Sequence, residues 1–322
     1  MTLENLKQKV LEGKQINKEE AMFLVNVPIE SLSAAADELR QFFCGNKFDL
    51  CTIVNGKSGK CSEDCKYCAQ SAFYKTKVES YPLLETEELV SQAQYNWERG
   101  VPRYSIVTSG KRLNRSEVDQ VCESIREIKK RTGISVCVSF GLLEEAEFRK
   151  IKEAGAIRVH NNLESSAEYF TKVCTTHSQE EKIAALQAAK NAGLSVCSGG
   201  IMGLGESMED RIDLALSLRS LGIKSVPVNM LNPIPGTPYK KNPVLTEEEM
   251  CRIIAIFRFI LPDAFIRLAG GRGLMSDQGK RCFQSGANAA ITGDMLTTAG
   301  ITIKQDMELL EELGYQVVRE CG

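Results

Sequence analysis

The sequence predicts an α/β fold, a (β/α)8 TIM-type barrel with an N-terminal helical extension, and three observations predict it. Short β-prone runs alternate with amphipathic, charged segments eight times within 322 residues, which suits a closed barrel better than an open doubly wound sheet. No tandem repeat, low-complexity tract or linker rich in Pro, Gly or Ser breaks that alternation. The stretch before the first β-prone run is polar and helical in pattern throughout. The expected division is therefore a helical extension over residues 1–45, packed outside a barrel over 46–322.

The β-prone runs cover 50–55, 104–109, 134–140, 157–162, 194–201, 225–231, 264–269 and 289–293. Helical patterns fill 85–99, 115–131, 144–154, 178–192, 207–221, 246–261, 275–286 and 304–313. Gly133, Gly155, Gly193 and Gly222 each follow a helical pattern, as residues closing a helix C-terminus do. Thr246 precedes Glu247, Glu248 and Glu249, a cap followed by acids on the positive end of the helix dipole. In such barrels chemistry gathers at the C-terminal ends of the strands, so every functional motif should lie at or just after a β-prone run.

Composition narrows the function classes. Forty basic and 42 acidic residues leave a net charge of −2 with no basic stripe, which speaks against a nucleic-acid partner. No apolar run approaches membrane-spanning length. The first 21 residues are polar, unlike a secretory signal, so the cytoplasm is the expected compartment. Twelve cysteines are many there. Disulfides explain them poorly in a reducing compartment, leaving burial as small apolar residues or metal ligation.

Directly after the first β-prone run stands Gly59-Lys-Cys61-Ser-Glu-Asp-Cys65-Lys-Tyr-Cys68-Ala-Gln, a C-x3-C-x2-C spacing. Thiolates suit zinc and iron–sulfur centres. A structural zinc site wants a fourth ligand, and the two histidines, His160 and His177, both lie far along the chain. Three close thiolates without a fourth point to a [4Fe–4S] cluster with one iron open to a small molecule; a zinc knuckle is the bland alternative. The loop resembles the signature of the radical S-adenosylmethionine superfamily. That resemblance implies reductive cleavage of the cofactor to a 5′-deoxyadenosyl radical, with Tyr67 at the aromatic position common in these loops.

Ser198-Gly199-Gly200-Ile-Met-Gly203-Leu-Gly205-Glu206 lacks the third glycine of a dinucleotide loop, since Met208 stands in its place. Close backbone approach at a strand end reads better for Gly199 and Gly200, and the resemblance places such a strand beside the methionine part of the cofactor. Gly203 and Gly205 fit equally well as glycines that shape a turn. Amides at two strand ends, Asn162 and Asn229, suit the two faces of a urea ring, which offers one carbonyl and two N–H groups. His160 reads at least as well as a buried structural histidine.

Cys51, Cys137 and Cys197 fall within the first, third and fifth β-prone runs, and Arg267 within the seventh. A buried arginine needs a partner, which an anionic cluster held by thiolates would supply. Here the resemblance narrows to the biotin synthase family, through CSEDCKYCAQS, VCSGGIMGLGES, SVPVNML, FIRLAGGR and GAN in the family's order. It implies a homodimeric barrel that converts dethiobiotin to biotin, with electrons from a donor such as flavodoxin or ferredoxin. It also implies sulfur from an auxiliary cluster, [2Fe–2S] in the familiar members, on three cysteines and an arginine.

Cys137, Cys197 and Arg267 match that set. Asn162 and Asn229 match the dethiobiotin site, and Glu164 a position near the cofactor ribose. No side chain is assigned as acid or base. Ser105 stands where the second-strand cysteine is expected, and serine oxygen is the poorer ligand for iron–sulfur centres. The expectation is that the thiolate has moved to Cys51, with an auxiliary cluster that is [2Fe–2S] or a variant of different nuclearity. Two other readings stay open: a different radical enzyme of the same superfamily, and a non-catalytic iron–sulfur carrier. Cys44, Cys122, Cys251, Cys282 and Cys321 are read as packing or surface residues, with Cys174 the chief exception.

Overall fold

A computed structural model describes residues 1–319 of the chain; Cys321 lies outside the described residues. Nine parallel strands form the barrel: β1 (Lys47–Lys57), β2 (Arg103–Thr108), β3 (Ser135–Ser139), β4 (Arg158–His160), β5 (Ser195–Cys197), β6 (Gly200–Met202), β7 (Ser225–Met230), β8 (Phe265–Leu268) and β9 (Ala289–Ile291). Their order is β5-β4-β3-β2-β1-β9-β8-β7-β6. β5 and β6 are two halves of one bent strand, the first half paired with β4 and the second with β7, so the circuit closes with eight walls. A short β10 (Gln316–Val317) adds to the outer start of β1.

The bend falls at Ser198–Gly199, where the wall passes against β7. A Cβ on Gly199 would lie 1.8 Å from the Pro227 carbonyl oxygen and one on Gly200 2.5 Å from that of Glu164. Only glycine allows this approach. The closeness inferred from the glycines is thus between backbone segments of the wall.

The outer helices are α4 (Thr86–Glu98), α5 (Arg115–Arg131), α6 (Glu145–Ala154), α8 (Gln179–Asn191), α9 (Met208–Ser220) and α10 (Glu247–Ile260). α5, α8, α9 and α10 open with reciprocal capping boxes, on Asn114/Glu117, Ser178/Glu181, Ser207/Asp210 and Thr246/Glu249, which satisfy otherwise orphaned N–H groups. Gly155 closes α6 in the left-handed region. Gly133 does not play that part: it makes room for the Trp97 ring, whose nearest atom lies 2.7 Å from where a Cβ would sit.

The helix expected over 275–286 shrinks to α11 (Lys280–Phe283), preceded by a 3-10 turn at Arg272–Leu274. Positive φ at Gly271, Gln278 and Gly279 interrupts the backbone there. A helix not foreseen, α7 (Ala167–Val173), sits between β4 and α8. The chain closes with α12 (Ile303–Glu312).

Residues 1–45 carry α1 (Leu3–Leu11), α2 (Lys18–Leu24) and α3 (Ile29–Cys44). α3 lies along α10, and α2 touches α9 and α10. This cover explains why α10 is buried on all sides, from Met250 to Ile260 except Arg252. Even Arg258 is fully buried, donating to the carbonyls of Leu261, Pro262, Ala264 and Gly286 and to Asn288 Oδ1. No described helix is long and apolar enough to cross a membrane.

Candidate functional site

Strand geometry decides what faces the interior. Side chains two apart on one strand share a face, and a cavity of about 410 Å³ is lined by such pairs: Arg103 and Ser105, Arg158 and His160, Pro227 and Asn229, Arg267 and Ala269. It runs from Cys61, Tyr67 and Cys68 at the C-terminal strand ends to Cys51, Ser105, Cys137, Cys197 and Arg267 at its floor. The sequence-derived candidates therefore meet in one cavity, except Cys65, Gly199 and Gly200, which do not line it.

The cysteine loop is fixed by its own backbone. Cys61 N donates to Gln70 O at 3.0 Å, Ala72 N to Cys61 O at 2.8 Å and Cys68 N to Cys65 O at 3.0 Å. Gly59 and Lys60 turn the chain out of β1 with positive φ. The outer edge of the loop is tied to the segment after α7: Lys66 N donates to Val173 O, and Asp64 accepts from Thr175 N at 2.8 Å and Thr176 N at 3.2 Å. Burial pushes the Cys68 thiol up to about 11. A metal binding there would displace its proton.

Electrostatics rule the floor. Asp49, two residues before Cys51, is fully buried and meets three guanidinium groups: Arg103 at 3.0 Å, Arg158 at 3.1 Å and Arg267 at 2.6 Å. Burial alone would raise its carboxyl, but Arg267, Arg103 and Arg158 hold it well below the usual carboxylate range. Three cations against one carboxylate leave the floor positive. Thiolates or an anionic cluster would balance that excess, and buried charge demands such a balance.

Arg267 Nη1 already donates to Cys51 Sγ at 3.1 Å, and Ser225 Oγ to Cys197 Sγ at 3.3 Å. Burial raises both thiols, Cys51 to about 11. Ser105 is level with Cys137 in the β2–β3 register and with Ile53 in β1–β2, so Cys51 lies one inward position deeper than Ser105. The sequence reading missed Asp49, Arg103 and Arg158. Their signal is the period of two: each stands two residues before a candidate on its strand.

The cavity wall carries the amides. Asn162 Oδ1 faces His160 Nε2 at 2.9 Å and accepts from Gly199 N at 3.0 Å. Asn229 donates to Gly200 O at 3.0 Å and accepts from Gly270 N at 2.8 Å. Each amide is thus anchored by the wall, and a carboxamide has two N–H groups and two lone-pair sites, leaving capacity toward the cavity. His160 is held by Ser139 Oγ at 3.2 Å as well, and burial lowers it to about 4; it is neutral and orients Asn162. Glu164, with positive φ, takes the Tyr67 hydroxyl at 2.8 Å on Oε1, while Oε2 is buried with no hydrogen-bond partner among the described residues. That atom is an acceptor waiting for a donor.

One expectation is overturned. His177 is not remote from the cysteine loop: its Nδ1 is 2.6 Å from Glu63 Oε2 and 3.3 Å from Cys174 Sγ, which is 3.7 Å from Cys65 Sγ. Distance along the chain misled because loops following different strands share one face of the barrel. The other cysteines follow their reading: Cys122 is buried in α5, Cys251 and Cys282 are buried side by side at 3.7 Å, and Cys44 lies against Arg258.

Comparison with known proteins agrees with this geometry. Residues 57–218 match the radical SAM superfamily and 227–316 the biotin and thiamin synthesis associated domain. The chain is 57% identical to a biotin synthase of Brachyspira hyodysenteriae over 98% of its own length and 95% of the relative's. It is 56% identical to one of Akkermansia muciniphila over 97% and 98%. Among solved structures, methylornithine synthase superposes with a TM-score of 0.83 at 21% identity, covering 98% of this chain and 97% of that one. The hydrogenase maturase HydG does so with 0.83 at 16%, covering 99% and 76%; both show the shared fold. From the cysteine loop, the charged barrel floor and relatives matched over nearly their full length, the chain belongs to the biotin synthase family of radical SAM enzymes.

Proposed function

We propose that this enzyme converts dethiobiotin to biotin within the single barrel cavity, and that the carrying observation is the stacking of two thiol sets along it. Cys61, Cys65 and Cys68 would hold a [4Fe–4S] cluster at the mouth; Cys51, Cys137 and Cys197, with Arg267, would hold an auxiliary iron–sulfur cluster at the floor. When bound, the first cluster with S-adenosylmethionine supplies a 5′-deoxyadenosyl radical, and the second supplies sulfur.

The residues present fit these groups. The thiols at both levels are the soft donors that iron–sulfur centres take, and the floor carries excess positive charge. Glu164 Oε2 offers the cofactor ribose an unpartnered buried acceptor. Tyr67 orients Glu164, and Gly199 and Gly200 let the wall bend where Asn162 and Asn229 are anchored. Those two amides would grip the ureido ring between the levels, presenting the two carbons attached to that ring to both. Closure of the cavity floor by Asp49 and its arginines keeps water from the sulfur source.

Cys51 rather than Ser105 completes the floor set in this reading, because a thiol already contacts Arg267 there. The cluster is then [2Fe–2S] or a form of different nuclearity. A cytoplasmic homodimer fed by flavodoxin or ferredoxin is part of the same proposal. The test is an anaerobic assay with S-adenosylmethionine, reductant and dethiobiotin, in which both 5′-deoxyadenosine and biotin are expected. 5′-Deoxyadenosine without biotin from a fully reconstituted chain would sink the substrate assignment; no cleavage would sink the radical assignment.

A further inference from the structure

Cys65 does not line the cavity, and its sulfur faces a second set of ligand-type side chains. The Sγ atoms of Cys65 and Cys174 and one ring nitrogen of His177 all lie within 4.8 Å of one another. We propose that the cluster-free chain holds a single divalent transition-metal cation, zinc or ferrous, on Cys65, Cys174 and His177.

Two of the three ligand–ligand edges come close to those of a tetrahedral site, and the third is within 4.8 Å. Metal–sulfur bonds of about 2.3 Å at tetrahedral angles set a sulfur–sulfur edge of about 3.8 Å, and a sulfur–nitrogen edge is about 3.6 Å. The observed edges are 3.7 Å between Cys65 and Cys174 and 3.3 Å between Cys174 and His177 Nδ1. Two thiols and an imidazole are a donor set that suits zinc and ferrous iron and not calcium or magnesium. Asp64 Oδ1, 3.1 Å from Cys174 Sγ, can supply an oxygen for the fourth position.

The site is also built before any metal arrives. Backbone N–H groups of Thr175 and Thr176 clamp Asp64, holding the loop segment that carries Cys65 against the one that carries Cys174 and His177. The imidazole is buried, Glu63 takes Nδ1 at 2.6 Å, and Nε2 has no partner among the described residues. A metal on Nδ1, the nitrogen nearest Cys174, would displace Glu63 from it, and the Ser62 and Thr176 hydroxyls already donate to that carboxylate. Binding releases the two thiol protons to solvent and involves no change of oxidation state.

Because Cys65 serves both sets, cation and mouth cluster exclude one another, a consequence that rests on the cluster assignment above although the site itself does not. The cation would hold Cys65 and Cys174 as thiolates until cluster assembly displaces it.

The experiment titrates Co2+ anaerobically into the full-length chain stripped of iron and sulfide. One equivalent should develop the visible bands of tetrahedral cobalt with a thiolate charge-transfer band. Cys61→Ala and Cys68→Ala should keep both, while Cys174→Ala and His177→Ala should weaken binding roughly tenfold or more, as loss of a ligand does. Cys174→Val provides an apolar replacement of similar size if the alanine variant misfolds, with circular dichroism as the check on folding. Equal binding by all variants, loss on Cys61→Ala or Cys68→Ala instead, or no tetrahedral bands in the folded parent chain would overturn the site. A cluster-loaded chain that still takes up the equivalent would overturn the sharing of Cys65.

Discussion

The mouth and the floor of the cavity both present cysteines, but they are assembled by different physics. At the mouth, three thiols come from one loop of eight residues, Cys61 to Cys68, held by hydrogen bonds within that loop and to the segment after α7. At the floor, Cys51, Cys137 and Cys197 come from three strands and meet only because the barrel closes. Charge differs as well. The floor is organised by Asp49 among three arginines, while the mouth has its carboxylates, Glu63 and Asp64, turned toward the α7 segment. A local site tolerates change elsewhere in the fold; a site made by closure depends on every wall.

That contrast can be broken most sharply at the mouth. Cys68→Ala should abolish 5′-deoxyadenosine and biotin formation together, to background, in an anaerobic turnover assay. Retention of 5′-deoxyadenosine formation would remove Cys68 from the initiating cluster. At the floor, Cys51→Ala should abolish biotin while leaving 5′-deoxyadenosine formation, with a matching loss of floor iron and sulfide; Ser105→Ala should change neither metal content nor product. Unchanged iron and sulfide in Cys51→Ala would exclude it from the set.

Stability sharpens the comparison further. Asp49→Asn leaves three buried guanidinium groups without their carboxylate, and should cost about 3–5 kcal/mol in denaturant unfolding. The Asp49 carboxyl is depressed in the folded chain, so its contribution is full above the unfolded pKa near 3.9 and is lost only as pH falls below the usual carboxylate range. Unfolding midpoints equal to the parent's at pH 7 would show that the arginines find other partners.

The smallest effect belongs to the wall between the two levels. His160 falls from 6.5 to about 4 on folding, so the unfolded chain binds its proton first. Stability should therefore decline as pH falls from about 6.5 to 4, by roughly 3 kcal/mol in total. In His160→Gln that part of the slope should vanish. A slope identical to the parent's would mean His160 is protonated in the fold.

Much of this was legible beforehand for reasons visible in single residues. The β-prone runs fell on the strands because parallel strands buried on both faces read as short apolar runs, and the start of α10 was readable because Thr246 and its glutamates are cap residues by chemistry. The 275–286 segment was not readable: its residues have helical pattern, yet Gln278 and Gly279 adopt positive φ, which breaks a helix. Arg267 was seen to need a buried partner, and that partner is Asp49 on β1, level with it across β9, as well as Cys51. His177 was set aside for its distance along the chain, which is the wrong measure where all loops return to one face.

The sequence by itself determined the barrel and the three-cysteine loop, because a repeating strand–helix pattern and a fixed short spacing are local properties of the chain. Only the tertiary structure decided which charges meet beneath Cys51, that Asn162 and Asn229 are braced by backbone, and that Cys174 and His177 stand behind Cys65. Those depend on barrel closure and strand register, which bring together residues more than a hundred positions apart.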